Sequence, residues 1–515
     1  MRVRVIETSV DAVKTDALVV NLFEGVKKPG GATGAVDKAL GGAIARLIAA
    51  GEIKGKLNEV ALLHAGGALP AERVIVVGLG KQEELELDRV RQAAGTAARF
   101  ARDKACRRLA TIVHGAGAGG LEVGKAAQAV VEGTLLGLYE PDAYKTAERK
   151  KPLEELALVE PLSPAGRGPG PEGAQGRDRA RLRDLRRGAR WGEIAAEATN
   201  EARALANEPA NRLTPAGFAA RARRTARRRG LGVSVLGPAQ LRAGGFGGIL
   251  GVGQGSAQTP RLVALRHGDR RARPDLALVG KGVTFDSGGI SLKPQEHLEH
   301  MNADMAGAGA VLCAVEAIAR LGLRLNLLAL MPLAENMPSG TALRPGDVLK
   351  MLSGKTVEIT TTDAEGRLLL ADALAYARRQ GARRIVDIAT LTGACLIALG
   401  TGLAGVMGSD QGLVDRLVAL GREAGDPAWP LPLVPDYKEQ LASGVADLKN
   451  AGGRAAGAIT AGLFLREFTD STPWAHLDIA GTAWSDRGVP YAAKGATGFG
   501  VRILVALAEE VAGGK

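Results

Sequence analysis

The sequence predicts an α/β protein of two domains, a smaller one at the N-terminus and a larger one after it. Three observations lead there. Short apolar runs of strand character alternate with segments whose apolar residues recur at helical spacing, the pattern of sheets covered by helices. The stretch 164–176 holds eight Gly or Pro residues among thirteen, a composition that neither a helix nor a central strand accommodates well, and it marks a boundary. Finally, the 515 residues are 46% hydrophobic and 24% charged, which is the composition of a globular chain with ample core. The limits that follow are an N-terminal domain over 1–162, a linker over 163–190 and a C-terminal domain over 191–515. With aromatics at only 3%, both cores must be built from Ala, Val, Leu and Ile.

In the first domain, strands are expected at 2–6, 17–23, 59–65, 73–80 and 108–114, and helices at 36–51, 87–104 and 124–140. In the second, helical spacing covers 191–206 and 214–229 and is followed by the strand-like runs 261–267 and 275–282. A helix over 305–321 precedes the apolar run 323–334. A helix over 366–381 precedes a buried strand over 383–391, and 474–481 is the last clear strand. No internal repeat is visible.

Several classes are excluded early. No apolar run approaches the ~18–20 residues that a membrane span requires, and the first twenty residues lack the apolar core of a secretory signal. Cys106, Cys313 and Cys395 are odd in number and far apart, so no disulfide framework is expected and the cytoplasm is the default compartment. The net charge of +12 is concentrated in two arginine runs, 163–190 at net +5 and 221–230 at net +6. Such runs are either a footprint for phosphates or solvated surface. Neither run has aromatic residues interleaved for base stacking, and the solvated reading is favoured.

The chemistry lies in three segments of the second domain. In LVGKGVTFDSGGISLKP (278–294) an apolar strand ends at Gly280, and Lys281, Asp286 and Lys293 follow in a glycine-rich loop. MNADMAGAGAVL (301–312) places Asp304 near a helix start, and TTTDAEGRLLLADAL (360–374) places Asp363, Glu365 and Arg367 just before another. Taken singly, Asp304 and Asp363 read as helix caps. If Asp286, Asp304, Asp363 and Glu365 converge, their repulsion demands cations, and oxygen-rich sets of this kind suit divalent metals. A lysine joins such a set only as the neutral amine. A second lysine and an arginine that keep their charge would stabilise an oxyanion, and the whole points to metal-assisted hydrolysis.

These blocks, with the spacing between them, closely resemble the signature of the leucyl aminopeptidase family, the cytosol aminopeptidases of peptidase family M17. The resemblance continues in NEPANRLTP (207–215), ATLTGACLIALG (389–400), ADLKNAGGRAAGAITAGLFL (446–465) and WAHLDIAGTAW (474–484), and so spans the second domain, with a looser match in the first. It implies a macro-like N-terminal domain and a zinc-exopeptidase C-terminal domain with a central mixed sheet. It also implies a cytoplasmic homohexamer that hydrolyses the N-terminal residue, preferably leucine or another apolar one, from peptide substrates. Two divalent metal ions per subunit are implied, zinc or manganese with magnesium or cobalt as substitutes. Asp286 and Glu365 would bridge them, Lys281 and Asp304 would complete the tighter site, and Asp363 the more exchangeable one. Lys293 would polarise the carbonyl, and Arg367 would hold a bicarbonate acting as general base. Met301, Thr361, Thr390, Leu391, Gly393 and Ala480 would meet the substrate.

Some positions depart from the family pattern. Thr361 stands where Asn is usual, Asn302 where Lys is usual, and DMAGAG replaces DMGGAA; none removes a ligand or a catalytic group. DNA binding, known for some relatives, is the rival the arginine runs raise, and a relative that has lost catalysis is the other, which the intact ligand set opposes. His297 and His300, at i, i+3 spacing, are read as solvated rather than as zinc ligands. His476 is read as a buried, hydrogen-bonded histidine, and Cys313 and Cys395 as small core residues. The glycines at 78–80 and 251–255 lack the full dinucleotide-binding pattern.

Overall fold

The computed structural model describes residues 1–147, 150–160, 172–296 and 298–513. They divide into two compact units, Met1–Glu197 with Arg487–Ala493, and Ala198–Asp486 with Lys494–Lys515.

The first unit is built on a six-stranded sheet. Its strands are β1 (Arg2–Glu7), β2 (Ala17–Leu22), β3 (Val60–His64), β4 (Arg73–Gly78), β5 (Arg108–Ile112) and β6 (Glu155–Glu160), in the order β1-β6-β5-β2-β4-β3. All neighbours are parallel except the edge pair β3–β4. Parallel strands are covered on both faces, which is why β2 and β4 read as nearly continuous apolar runs. The helices Leu87–Asp103 and Val123–Gly137 pack closely because Gly95 and Gly133 carry no side chain: a Cβ on Gly95 would lie 2.9 Å from the Gly133 carbonyl oxygen. The single helix expected over 36–51 is two, Gly31–Ala39 and Ala43–Ala49, because Gly41 and Gly42 between them take φ of 61° and 82°.

The linker needs correction where it is described. From Glu172 the chain is one helix of 35 residues to Ala206, and residues 161–171 lie outside the described part. Beyond the Gly/Pro cluster, Ala, Leu and Arg are good helix formers, and Leu185 and Ala189 are buried in the unit's core. Gly188 is a contact point rather than a breaker, since a Cβ there would collide with the Gly124 carbonyl oxygen at 1.9 Å. The glycines at 78–80 also serve close packing, with the Lys56 carbonyl oxygen 1.9 Å from where a Gly78 Cβ would be.

The second unit contains a mixed nine-stranded sheet formed by β7 (Gly232–Leu236), β8 (Arg261–His267), β9 (Leu276–Gly280), β10 (Gly282–Asp286), β11 (Leu327–Asn336), β14 (Ile385–Ala389), β15 (Ala404–Gly408), β16 (Ala428–Pro430) and β18 (Trp474–Asp478). Beside it lies a small sheet of β12 (Val348–Lys350), β13 (Thr356–Glu358) and β17 (Leu448–Lys449). The main order is β16-β15-β18-β14-β9-β11-β8-β7, with β10 paired to β11. Strands β18, β14, β9 and β11 run parallel at its centre, so their C-terminal ends share one edge. The helices Ala306–Leu321 and Gly366–Arg379 pack against the sheet, and the buried faces of the latter and of the central strands make the main core.

The six arginines of 221–230 all lie on the helix Pro215–Arg229. Arg221 pairs with Glu201, and Arg228 and Arg229 both pair with Glu316. No helix among the described residues is long and apolar enough to cross a membrane.

Candidate metal centre and active site

The parallel strands deliver the polar residues to their shared C-terminal edge, the place where open α/β sheets bind ligands. Lys281 follows β9, Thr390 follows β14, Asp478 ends β18, Asn336 ends β11 and Asp286 ends β10. Asp304 closes a 3₁₀ turn, Leu298–Met305, that leads into the helix Ala306–Leu321. Asp363 and Glu365 lie in the turn before the helix Gly366–Arg379. Neither aspartate is a cap. Met305 and Glu365 occupy the N-cap positions of these helices, and neither makes a side-chain capping bond.

The cluster is tight. Lys281 Nζ lies 2.8 Å from Asp304 Oδ2 and 2.9 Å from Glu365 Oε1, and it donates to the Thr390 carbonyl at 2.9 Å. Lys293 Nζ lies 2.8 Å from Asp286 Oδ2 and also pairs with Asp363. Oxygens of Asp286, Asp363 and Glu365 all come within 4.8 Å of one another. Four carboxylates therefore face two ammonium groups. Glu365 Oε2 is buried without a hydrogen-bond donor, and Asp304 Oδ2 faces the Lys281 ammonium, an expensive arrangement unless cations complete it.

The electrostatics report the same excess of negative charge. Burial raises Asp304 to about 8, with repulsion from Asp286 and Glu365 adding to it and Lys281 opposing. Burial first, then Asp286, also pushes Glu365 up, and burial raises Asp363 against the pull of Lys293. Burial alone would lower Lys281, but Asp304, Glu365 and Asp286 override it and hold the ammonium well above its usual range. Lys293 is held up by Asp286, Glu365 and Asp363 in the same way.

Close backbone packing makes room for this. A Cβ on Gly366 would sit 2.5 Å from Lys281 Cε, and one on Gly307 would sit 2.2 Å from the Ile388 carbonyl oxygen. DMAGAG thus keeps its glycine where the helix meets the strand ends. Gly288 and Gly289 take φ of 87° and 69° and turn the loop after Asp286 back so that Lys293 N reaches the Ser287 carbonyl.

Residues 200–505 match the model for the cytosol aminopeptidase family catalytic domain, and residues 19–148 match that for the same family's N-terminal domain. The chain belongs to the cytosol aminopeptidase family, whose members are peptidases hydrolysing N-terminal residues. A "Probable cytosol aminopeptidase" of Solibacter usitatus is 44% identical over 510 residues, 99% of each chain. One of Streptomyces griseus is 45% identical over 524 residues, 98% of this chain and 97% of the relative. Among solved structures, the bottromycin maturation enzyme BotP in complex with Mn is 37% identical with a TM-score of 0.83, over 97% of this chain and all of that one. A tomato leucine aminopeptidase mutant is 32% identical with a TM-score of 0.84, over 99% and 96%. The cytosol aminopeptidase match covers both units, so the looser resemblance of the first domain is a real one.

The remaining sequence-derived candidates fall around the cluster to different degrees. Thr390 Oγ1 donates to Asp304 Oδ1 at 2.7 Å, so it touches a proposed ligand directly. Leu391 and Ala480 share an anchor, each donating its backbone N–H to Asp478 Oδ1 at 3.1 Å. Gly393 starts the helix Gly393–Leu399 and is exposed. Met301 is half-buried on the 3₁₀ turn that carries Asp304, and Thr361 Oγ1 accepts from the Asp363 N–H at 3.3 Å. Arg367 is buried, donates Nη1 to the Asn450 carbonyl at 2.9 Å and leaves Nε without a hydrogen bond. Burial lowers it to about 10.

Three residues escaped the sequence reading. Asn336 donates Nδ2 to Asp286 Oδ1 at 2.8 Å and to the Thr362 carbonyl at 3.0 Å. Asp478 also accepts from Thr392 Oγ1 at 2.6 Å and so holds the loop after β14. Asn450 is the third. The available signal was a polar residue ending a largely apolar strand run, as in LMPLAEN and WAHLD.

The signals set aside are structural. His476 is fully buried, with Nδ1 2.6 Å from Asp387 Oδ1, and that carboxylate raises it against the effect of burial. His300 stacks on Trp484 with centroids 4.5 Å apart, and His297 lies outside the described residues. The cysteines are free and buried, and burial pushes the Cys395 thiol up to about 12. Of the 251–255 glycines, Gly253 packs on Pro260 and Gly255 on the Met337 carbonyl.

Proposed function

We propose that the chain is a two-metal aminopeptidase that removes leucine or another apolar residue from the N-terminus of peptides. The observation that carries this reading is the excess of four carboxylates, three of them buried, over two lysines, with Glu365 Oε2 left without a donor, at the edge where the parallel strands end. That donor set fits divalent ions. Asp286 and Glu365 would bridge a pair, Lys281 and Asp304 would complete one site and Asp363 the other, with zinc or manganese the expected metals and magnesium or cobalt able to replace them. When bound, such ions supply Lewis acidity to a carbonyl and lower the pKa of water.

The chain's own residues do the rest. Lys281 acts as a ligand only after losing its proton, which becomes favourable when cations take over its carboxylate partners. Lys293, held between Asp286 and Asp363, keeps its charge and supports negative charge developing on the scissile carbonyl oxygen. Arg367, with Nε unengaged, would hold a bicarbonate serving as general base. Thr390, Leu391, Gly393 and Ala480, with Met301 and Thr361, would line the pocket for the first side chain. Asp478 keeps the loop after β14 rigid for that task. The proposal extends to a cytoplasmic homohexamer. The solvated reading of the arginines is supported by their ion pairs with Glu201 and Glu316.

A panel of aminoacyl amides, assayed with and without a chelator alongside metal analysis, tests the reading. Leucyl-amide hydrolysis that the chelator abolishes and added zinc or manganese restores is the expected result. Activity indifferent to chelation would overturn the mechanism. A gel shift at low and high salt checks the rival, with no binding expected at either.

A further inference from the structure

We infer that Asn450 is a positioning residue that locks the turn carrying Asp363 and Glu365, and with it Arg367, into register with the rest of the cluster. The inference rests on the metal reading above and names a group that reading leaves without a role. Asn450 lies directly after β17 and is fully buried. Its Oδ1 accepts from the Thr360 N–H at 2.8 Å and from Thr360 Oγ1 at 3.1 Å. Its Nδ2 donates to the Thr361 carbonyl at 2.7 Å and to the Ala364 carbonyl at 3.4 Å. Its own carbonyl accepts from Arg367 Nη1 at 2.9 Å, and its N–H donates to the Glu358 carbonyl at 2.9 Å.

One side chain therefore clasps the turn from both ends, at 360–361 and at 364, around the residues proposed as ligands. The turn has no ladder of its own there. β13 stops at Glu358 and the helix begins at Gly366, so the amide supplies partners that regular structure would otherwise provide. Only an amide satisfies this arrangement. The acceptor faces N–H and O–H donors while the NH₂ faces two carbonyls, and a carboxylate would turn the second pair of contacts into repulsion. The same residue's backbone sets Arg367, so the distance from the arginine to Glu365 and Asp363 is fixed through one anchor. Groups that hold metal ligands in this way usually change affinity or activity by about 10–100-fold when altered.

The test uses Asn450→Asp, which keeps size and the acceptor but not the donors, and Thr360→Val, which removes one hydroxyl at an exposed position. Manganese alone is titrated into chelator-stripped full-length protein, and kcat, KM and the urea midpoint are measured in parallel. Asn450→Asp is expected to weaken binding at the more exchangeable ion by about 10–100-fold and to lower kcat by a similar factor, with KM within about threefold. Thr360→Val is expected to move in the same direction by less than about tenfold. A folded Asn450→Asp protein with wild-type manganese affinity and kcat would overturn the inference. So would a lowered urea midpoint with affinity and kcat unchanged, the mark of a purely structural role. Wild-type protein that binds no manganese would instead defeat the metal reading itself, so the two failures are distinct.

Discussion

Both units bury charge, and one site in each treats it in the opposite way. In the N-terminal unit Arg91 and Glu132 are 1% and 0% exposed, lie 2.5 Å apart and are supported by Gln128, which donates to the second Glu132 oxygen at 2.8 Å. The pair is balanced within the fold. In the catalytic unit four carboxylates, three of them buried, meet two lysines, and Glu365 Oε2 is left without a donor. Burying an unbalanced charge costs several kcal/mol per ion by order of magnitude. A fold that keeps such an excess does so because something outside the chain completes it. Balanced buried charge is architecture, and unbalanced buried charge marks a binding site.

The contrast is open to attack at three points. The largest effect is expected in the catalytic unit: Asp286→Asn or Glu365→Gln should lose metal and at least ~10³-fold in turnover, whereas Lys293→Ala should lose about 10²–10³-fold with metal content nearly unchanged. Elemental analysis beside kinetics decides, and an Asp286→Asn protein holding both ions at full occupancy would refute its bridging role. Next, Glu132→Ala removes the buried carboxylate that balances Arg91 and should cost about 3–5 kcal/mol, seen as a lower urea midpoint, while metal content and kcat of the folded enzyme stay put. A change in metal affinity there would dissolve the distinction between the two kinds of buried charge. The smallest effect is expected for Gly366→Ala. The new methyl meets only the end of the flexible Lys281 chain, so the midpoint should barely move while displacement of the amine lowers metal affinity by roughly tenfold.

Much of this protein was legible in its sequence, and the limits of that reading are physical. Strands β8, β9 and β14 and the helices Ala306–Leu321 and Gly366–Arg379 were readable because apolar periodicity is local. In the helix Glu172–Ala206 the second half reads as helix, but residues up to 190 read as linker from their glycines, whose cost is set by what they touch; Gly188 touches the Gly124 backbone. Cap readings of Asp304 and Asp363 fell for a similar reason, since their partners are Lys281, Thr390 and Lys293 rather than their own helices.

What the sequence by itself determined was the inventory: strand and helix types, the family, and the acidic and basic groups available for chemistry. Tertiary structure alone decided the balance of charge among them, the pairing of Lys293 with Asp286 and Asp363, and the anchoring by Asn336, Asp478 and Asn450. Apart from the Lys293–Asp286 pair and the Asp478–Ala480 bond, these contacts join residues 26 to 90 positions apart. They depend on the order in which parallel strands line up, which no local period encodes, because the free energy that selects that order comes from burying the whole sheet at once.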